Sequence, residues 1–125
     1  MGVFGPKDHR HSFEADIDIL PLGPDTRKTH PFNGIRWDFC LVEDLDERGW
    51  AREISMVWPE FVDESGASIP PGVPLQGRLH ALMHIVVPEM VEQHRQRLKV
   101  GSRFVWTEGP RPVAEGVVTS LAPMV

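Results

Sequence analysis

The clearest pattern of hydrophobic and polar positions in the chain is the alternation over "LQGRLHALMHI", Leu75–Ile85. Apolar or small residues fill one set of alternate positions, and the other set is polar apart from Leu82 and includes His80 and His84. This period of two predicts a half-buried β-strand. The two histidines lie on its polar side, about 13 Å apart at strand rise. We therefore expect both to be exposed, and we do not expect them to share a metal ion.

The same period recurs in "FEADIDILPL", where apolar residues alternate with Glu14, Asp16 and Asp18. Pro and Gly clusters separate further β-rich segments. Strands are predicted in 35–42, in 51–58 with Pro59 as the stop, in 102–108 and in 113–121. The predicted core contains Ile17, Ile19, Leu79, Ala81, Met83, Phe104 and Val118.

One segment departs from the β pattern. The run "EMVEQHRQRLKVG", residues 89–101, predicts a short helix with Gly101 near its end. About six short strands with one helix indicate an all-β antiparallel sandwich or barrel. We expect a closed antiparallel six-stranded β-barrel with one short helical insertion, because closure removes exposed strand edges.

The composition is that of one globular domain. The chain has 125 residues, so we expect a flexible N-terminal tail over 1–12 and a single barrel domain over 13–125. A net charge of −5 argues against a phosphate-binding surface that covers a whole face. Cys40 is the only cysteine and is expected to be buried and inert. With no signal-peptide pattern or membrane-length apolar run, we expect a cytoplasmic protein.

Motifs for catalysis are missing from the sequence. It contains no phosphate-binding glycine loop, no G-x-S-x-G segment and no H-E-x-x-H pair. Glu108 and Glu115 are interpreted as surface acids, and His9 and His11 as solvated tail residues. We therefore expect a protein that is not an enzyme, with no cofactor and no metal.

Three segments follow one another in a recognisable order: "RKTHPFNGIRWDFCL", "PPGVPLQGRLHALMHIVVP" and "RFVWTEGPRPVAEGVV". Over roughly residues 13–121 they resemble the C-terminal barrel domain of bacterial elongation factor Tu. The matching positions are Arg27, Lys28, Thr29, Phe32, Gly34, Arg36, Pro71, Gly72, Arg103, Phe104, Glu108, Gly109, Arg111, Val113, Gly116 and Val118.

The resemblance implies a barrel that binds other macromolecules. In elongation factor Tu this barrel packs on a second barrel and helps to hold aminoacyl-tRNA. GTP hydrolysis resides in a separate domain that has no counterpart in these residues, so no GTP binding is expected. The tRNA-facing loops correspond to Arg27–Arg36 and Glu108–Arg111. The implied partner- or RNA-binding residues are Arg27, Lys28, Thr29, Phe32, Arg36, Trp37, Glu108, Gly109 and Arg111.

The sequence also departs from that family. Asp38 places an acid where a phosphate would be repelled, and residues 89–100 are an insertion. Three interpretations of the basic segment stay open. It binds a protein partner, with Trp37 or Phe32 as an apolar anchor, or it binds tRNA. Alternatively, it is a solvated loop whose cations pair with Asp25 or Asp38.

Overall fold

The computed structural model describes residues 12–48, 54–109 and 111–121, and these residues form a mostly β fold. Most of residues 1–12, predicted to be a tail, lie outside the described residues. The strands are β1 (Phe13–Ile19), β2 (Asp38–Leu41), β3 (Val57–Val62), β4 (Gly77–Ile85), β5 (Arg103–Glu108) and β6 (Arg111–Ser120), with one helix, α1 (Val91–Arg97). Short 3-10 turns occupy Val42–Asp44 and Pro88–Met90.

All six strands belong to one antiparallel sheet in the order β2-β5-β6-β1-β4-β3. The sheet curls into a half-barrel, so the prediction of a closed barrel is wrong. Its edge strands β2 and β3 approach each other, and in the described residues the bridge between Phe39 and Ser55 is the connection between the two edges. β2 is too short to pair along β3, because the chain turns away at Val42. We call the gap between β2 and β3 the seam.

The core lies on the inner face of the curled sheet. β1 crosses its middle, where Ala15 is opposite Ala81 on one side and Val118 on the other. The predicted core is confirmed for Ile17, Ile19, Ala81, Met83, Phe104 and Val118. Leu79 is only half-buried and packs at the margin, since it lies near the open end of β4. Phe13, Phe39, Phe61 and Trp106 fill most of the remaining volume.

Gly116 lets β6 lie close to β5 and β1. A Cβ at this position would be 2.5 Å from the Phe104 ring and 2.8 Å from Ile17 Cδ1. Carbon atoms that are not bonded to each other do not approach so closely, so the position requires glycine. A glycine inside a strand often marks such close packing.

Pro59 lies within β3, although the sequence predicted that it would end a strand over 51–58. β3 is an edge strand, and alternate residues of such a strand direct their backbone groups away from the sheet. The Phe61 N–H points outwards to Asn33, so Pro59, two residues earlier, occupies an outward position where no ladder donor is needed. Residues 51–53 of the predicted strand lie outside the described residues.

The predicted helix is confirmed, and α1 packs over the seam. His94 is the buried side chain of the helix, and Leu98, directly after it, is buried too. The His94 ring packs edge-on against Phe39 at 6.2 Å between centroids. Arg97 binds the Asp44 carboxylate with both terminal nitrogens, at 2.9 and 3.0 Å. The helix therefore covers the gap that the sheet leaves open.

The two strand histidines of β4 differ from the expectation. His80 is half-buried between two β1 carboxylates, with Nδ1 2.9 Å from Asp16 and Nε2 2.7 Å from Glu14. His84 is buried and lies 3.1 Å from the Glu60 carboxylate. The prediction of exposed histidines is wrong for His84, because neighbouring strands supply acids and bulk that a single strand pattern does not reveal.

Candidate functional site

The segment Arg27–Arg36, which we call the basic loop, joins β1 to β2 and is anchored by Asn33. The buried Asn33 amide donates to the carbonyls of Phe61 and Ile69, each at 2.9 Å, and accepts the Phe61 N–H at 2.9 Å. Gly34 follows with φ of 102°, as glycine allows. The side chain thus replaces a strand at the edge of β3. Sequence reasoning missed Asn33, although an Asn-Gly pair is a recognisable turn signal.

Arg27 connects the basic loop to the β5–β6 hairpin. Its guanidinium binds the Glu108 carboxylate, and its Nε donates to the Thr29 carbonyl at 2.9 Å. The side chain is 21% exposed. The structure therefore brings together the two loops that the sequence marked as a binding site. It pairs Arg27 with Glu108 rather than with Asp25 or Asp38.

Trp37 lies inside the protein and is only 2% exposed. Its indole N–H donates to Glu108 Oε2 at 2.7 Å, and its ring packs against Trp106 at 5.8 Å. An exposed anchoring role for Trp37 is therefore wrong. Apolar and polar residues alternate over residues 35–39, and this pattern could have indicated that the Trp37 ring points into the core together with Phe39.

The remaining candidates reach the surface. Lys28, Thr29 and Arg111 are exposed, and Phe32 is 44% exposed. Arg111 donates to the Thr26 carbonyl at 3.3 Å, so the hairpin and the start of the loop touch a second time. Gly109, directly after β5, has φ of 59°, a conformation that glycine adopts at little cost.

Arg36 has a different environment from Arg27. Its guanidinium carbon lies 4.2 Å from the centroid of the Trp58 ring, in a cation–π arrangement. Within the described residues no carboxylate pairs with Arg36. Trp58 is half-buried on the outer face of β3, opposite His84. Sequence reasoning assigned no role to Trp58, since its contact with Arg36 joins segments over twenty residues apart.

Two exposed apolar side chains continue this surface. Ile54 is 56% exposed and Met56 is 51% exposed. They alternate with Trp58 along an extended segment, in which Ser55 bridges to Phe39, so they lie on the same side of the backbone. Successive members are about 7 Å apart. We call Arg36, Ile54, Met56 and Trp58 the Arg–Trp patch.

No protein-family model and no curated protein matches the chain. In the described ranges no helix has the length and apolar character needed to cross a membrane. Within those same ranges no three His, Cys, Asp or Glu side chains are grouped so that they could hold a metal ion.

Proposed function

We propose that the chain is a non-catalytic, cytoplasmic binding module, related to the C-terminal barrel of elongation factor Tu, that engages a protein partner through the Arg–Trp patch. The observation that carries this proposal is the Arg36 guanidinium stacked on Trp58 beside two exposed apolar side chains. Arg, Trp and Met are enriched at the centres of protein interfaces.

The stacking also orders the arginine before binding. A guanidinium held over an aromatic face loses less side-chain freedom when a partner arrives, and this lowers the cost of association. With no carboxylate paired to it in the described residues, Arg36 can accept one from the partner. The partner chemistry that fits is a protein surface with a carboxylate beside an apolar side chain.

The contacts within the basic loop favour a protein as the partner over the phosphate backbone of a nucleic acid. Glu108 neutralises Arg27 and accepts a hydrogen bond from the buried Trp37, so three of the proposed contact residues contact one another within the protein. The net charge of −5 opposes approach of a polyanion.

Capture from a bacterial lysate with matched variants tests the proposal. Arg36→Ala and Met56→Ser should each reduce recovery of one specific protein, whereas Val100→Ser should not. Val100 is a suitable control because it is an exposed apolar residue, at 64%, outside the patch. Equal recovery with all three variants would refute the patch as the binding surface.

A tRNA- or RNA-binding module is the second candidate. Lys28, Arg36 and Arg111 are exposed cations on or beside the basic loop, and none has a described carboxylate partner. A gel shift with bulk tRNA at about 50 and 200 mM salt separates the two functions. Binding that weakens steeply with salt and is lost in Lys28→Ala would favour RNA. No shift at low salt would exclude it.

A further inference from the structure

The seam is closed by packing rather than by strand pairing. Beyond the Phe39–Ser55 bridge, α1 lies against the gap and leaves a small cavity of about 40 Å³. The residues around this cavity are Phe39, Leu41, Ser55, Met90, Gln93 and His94, together with Asp44 and Arg97 at its rim. Uncovering the part of the seam beyond the bridge therefore requires that α1 moves away and that Arg97 leaves Asp44.

His94 is the central contact of α1 and is unusual for a buried titratable group. It is 6% exposed, and its Nε2 is buried without a hydrogen-bond partner in the described part of the chain. A neutral imidazole packed against Phe39 is tolerated there. An imidazolium would need an acceptor at each nitrogen, and leaving a buried charge unpaired is strongly unfavourable.

The charged groups around His94 do not supply that acceptor. Arg97, on the same helix, carries a like charge. Asp44 and Glu43, in the turn after β2, are both engaged by Arg97, with Glu43 at 3.2 Å. The residues that face His94 from β2 and from the segment before β3 are uncharged: Phe39, Leu41 and Ser55.

We propose that α1 is an acid-released cover of the seam, in which His94 takes one proton from solvent, leaves the seam with the helix, and exposes the edges of β2 and β3. Burial, with a contribution from the Arg97 charge, lowers the pKa of His94 below its usual 6.5. A lowered pKa means that the closed state binds fewer protons than the open state. The contribution of neutral His94 to the stability of the closed state is therefore complete above pH 6.5. It decreases as the pH falls towards the pKa of His94 in the closed state.

Amide hydrogen exchange, corrected for intrinsic rates, measures this opening. The protection of the amides of Arg95–Leu98 should fall by up to about tenfold per pH unit between pH 6.5 and pH 5, because one proton is taken up. The amides of β1 and β6 should keep their protection.

Two variants decide the outcome. In His94→Leu, or in His94→Gln if the former folds poorly, the helix amides should show no pH slope. His80→Gln should retain the wild-type slope, because His80 contacts β1 carboxylates and not α1. The proposal would be overturned if the amide protection of α1 in the wild type did not change with pH. It would also be overturned if the pH dependence of this protection persisted in the His94 variants. A His94 NMR titration midpoint at or above 6.5 would do the same.

Discussion

Trp37 and Glu108 are joined by a 2.7 Å hydrogen bond from the indole N–H to Oε2, and the same oxygen accepts the Arg27 guanidinium. One carboxylate thus links the first residue of the basic loop, the residue before β2 and the last hairpin. Arg27, Trp37 and Glu108, which the sequence marked as partner-facing, hold the two loops together. Arg36 is therefore the arginine of the basic loop that is available to a partner.

Glu108→Ala should lower the free energy of unfolding by about 1–3 kcal/mol. It leaves the indole N–H of Trp37 buried without an acceptor and removes the partner of Arg27. Urea denaturation measures the change. Glu115→Ala, an exposed acid on β6, is the control and should fall within about 0.5 kcal/mol of wild type. Equal effects of the two substitutions would show that the Glu108 network adds no stability.

Gly116→Ala should destabilise the sheet by about 1–3 kcal/mol, because the added methyl overlaps Phe104 and Ile17. Both side chains are fully buried, so neither can move aside into solvent. Gly72→Ala is the matched control, because its new methyl group would have no atom within 4 Å and its φ is not positive. The midpoint of thermal unfolding should be clearly lower for Gly116→Ala than for Gly72→Ala. Similar midpoints would contradict the close packing at Gly116.

Asn33→Ala should cost about 2–4 kcal/mol, since it leaves the Phe61 N–H and the Ile69 carbonyl without their side-chain partner. Lys28→Ala, in the same loop but exposed, should change little. Chemical denaturation of both variants tests whether the amide anchors the loop. If Asn33→Ala left the free energy of unfolding unchanged, the basic loop would be held by other contacts.

The stabilising effect of His80 should depend on pH. Burial alone would lower the pKa of His80, but hydrogen bonds and charges from Asp16 and Glu14 outweigh it and raise the pKa above 6.5. A raised pKa gives a contribution that is complete below pH 6.5 and is lost as the pH rises through the folded-state value. His80→Gln should therefore be more destabilising at pH 6 than at pH 8 in urea denaturation. The opposite order would contradict this assignment.

The sequence predicted much of the fold and less of the site. Strict alternation identified β1 and β4, and the core residues on them, because a half-buried strand imposes a period of two. It could not show that β2 has only four residues, so the half-barrel was mistaken for a closed one. Pro59 was wrongly predicted to end a strand because an edge strand tolerates proline. Which strand lies at the edge depends on the pairing of strands, and the sequence pattern does not show this pairing.

The site depended on contacts that are distant in sequence. The association of Arg27 with Glu108 spans 81 residues, and that of Arg36 with Trp58 joins a loop to a strand. Residue types alone left open whether the cations bind a partner or pair with Asp25 or Asp38. Only the geometry separates Arg27, which is neutralised, from Arg36, which is stacked and available.

The most direct test of the proposed protein-binding function is the affinity of the captured partner for wild type and Arg36→Ala, measured by calorimetry at about 50 and 200 mM salt. Arg36→Ala should fold normally, because the side chain is exposed. We predict that it weakens binding by about tenfold or more, as expected for an arginine at an interface centre, and that wild-type affinity changes little with salt. Unchanged affinity in Arg36→Ala would contradict the proposal.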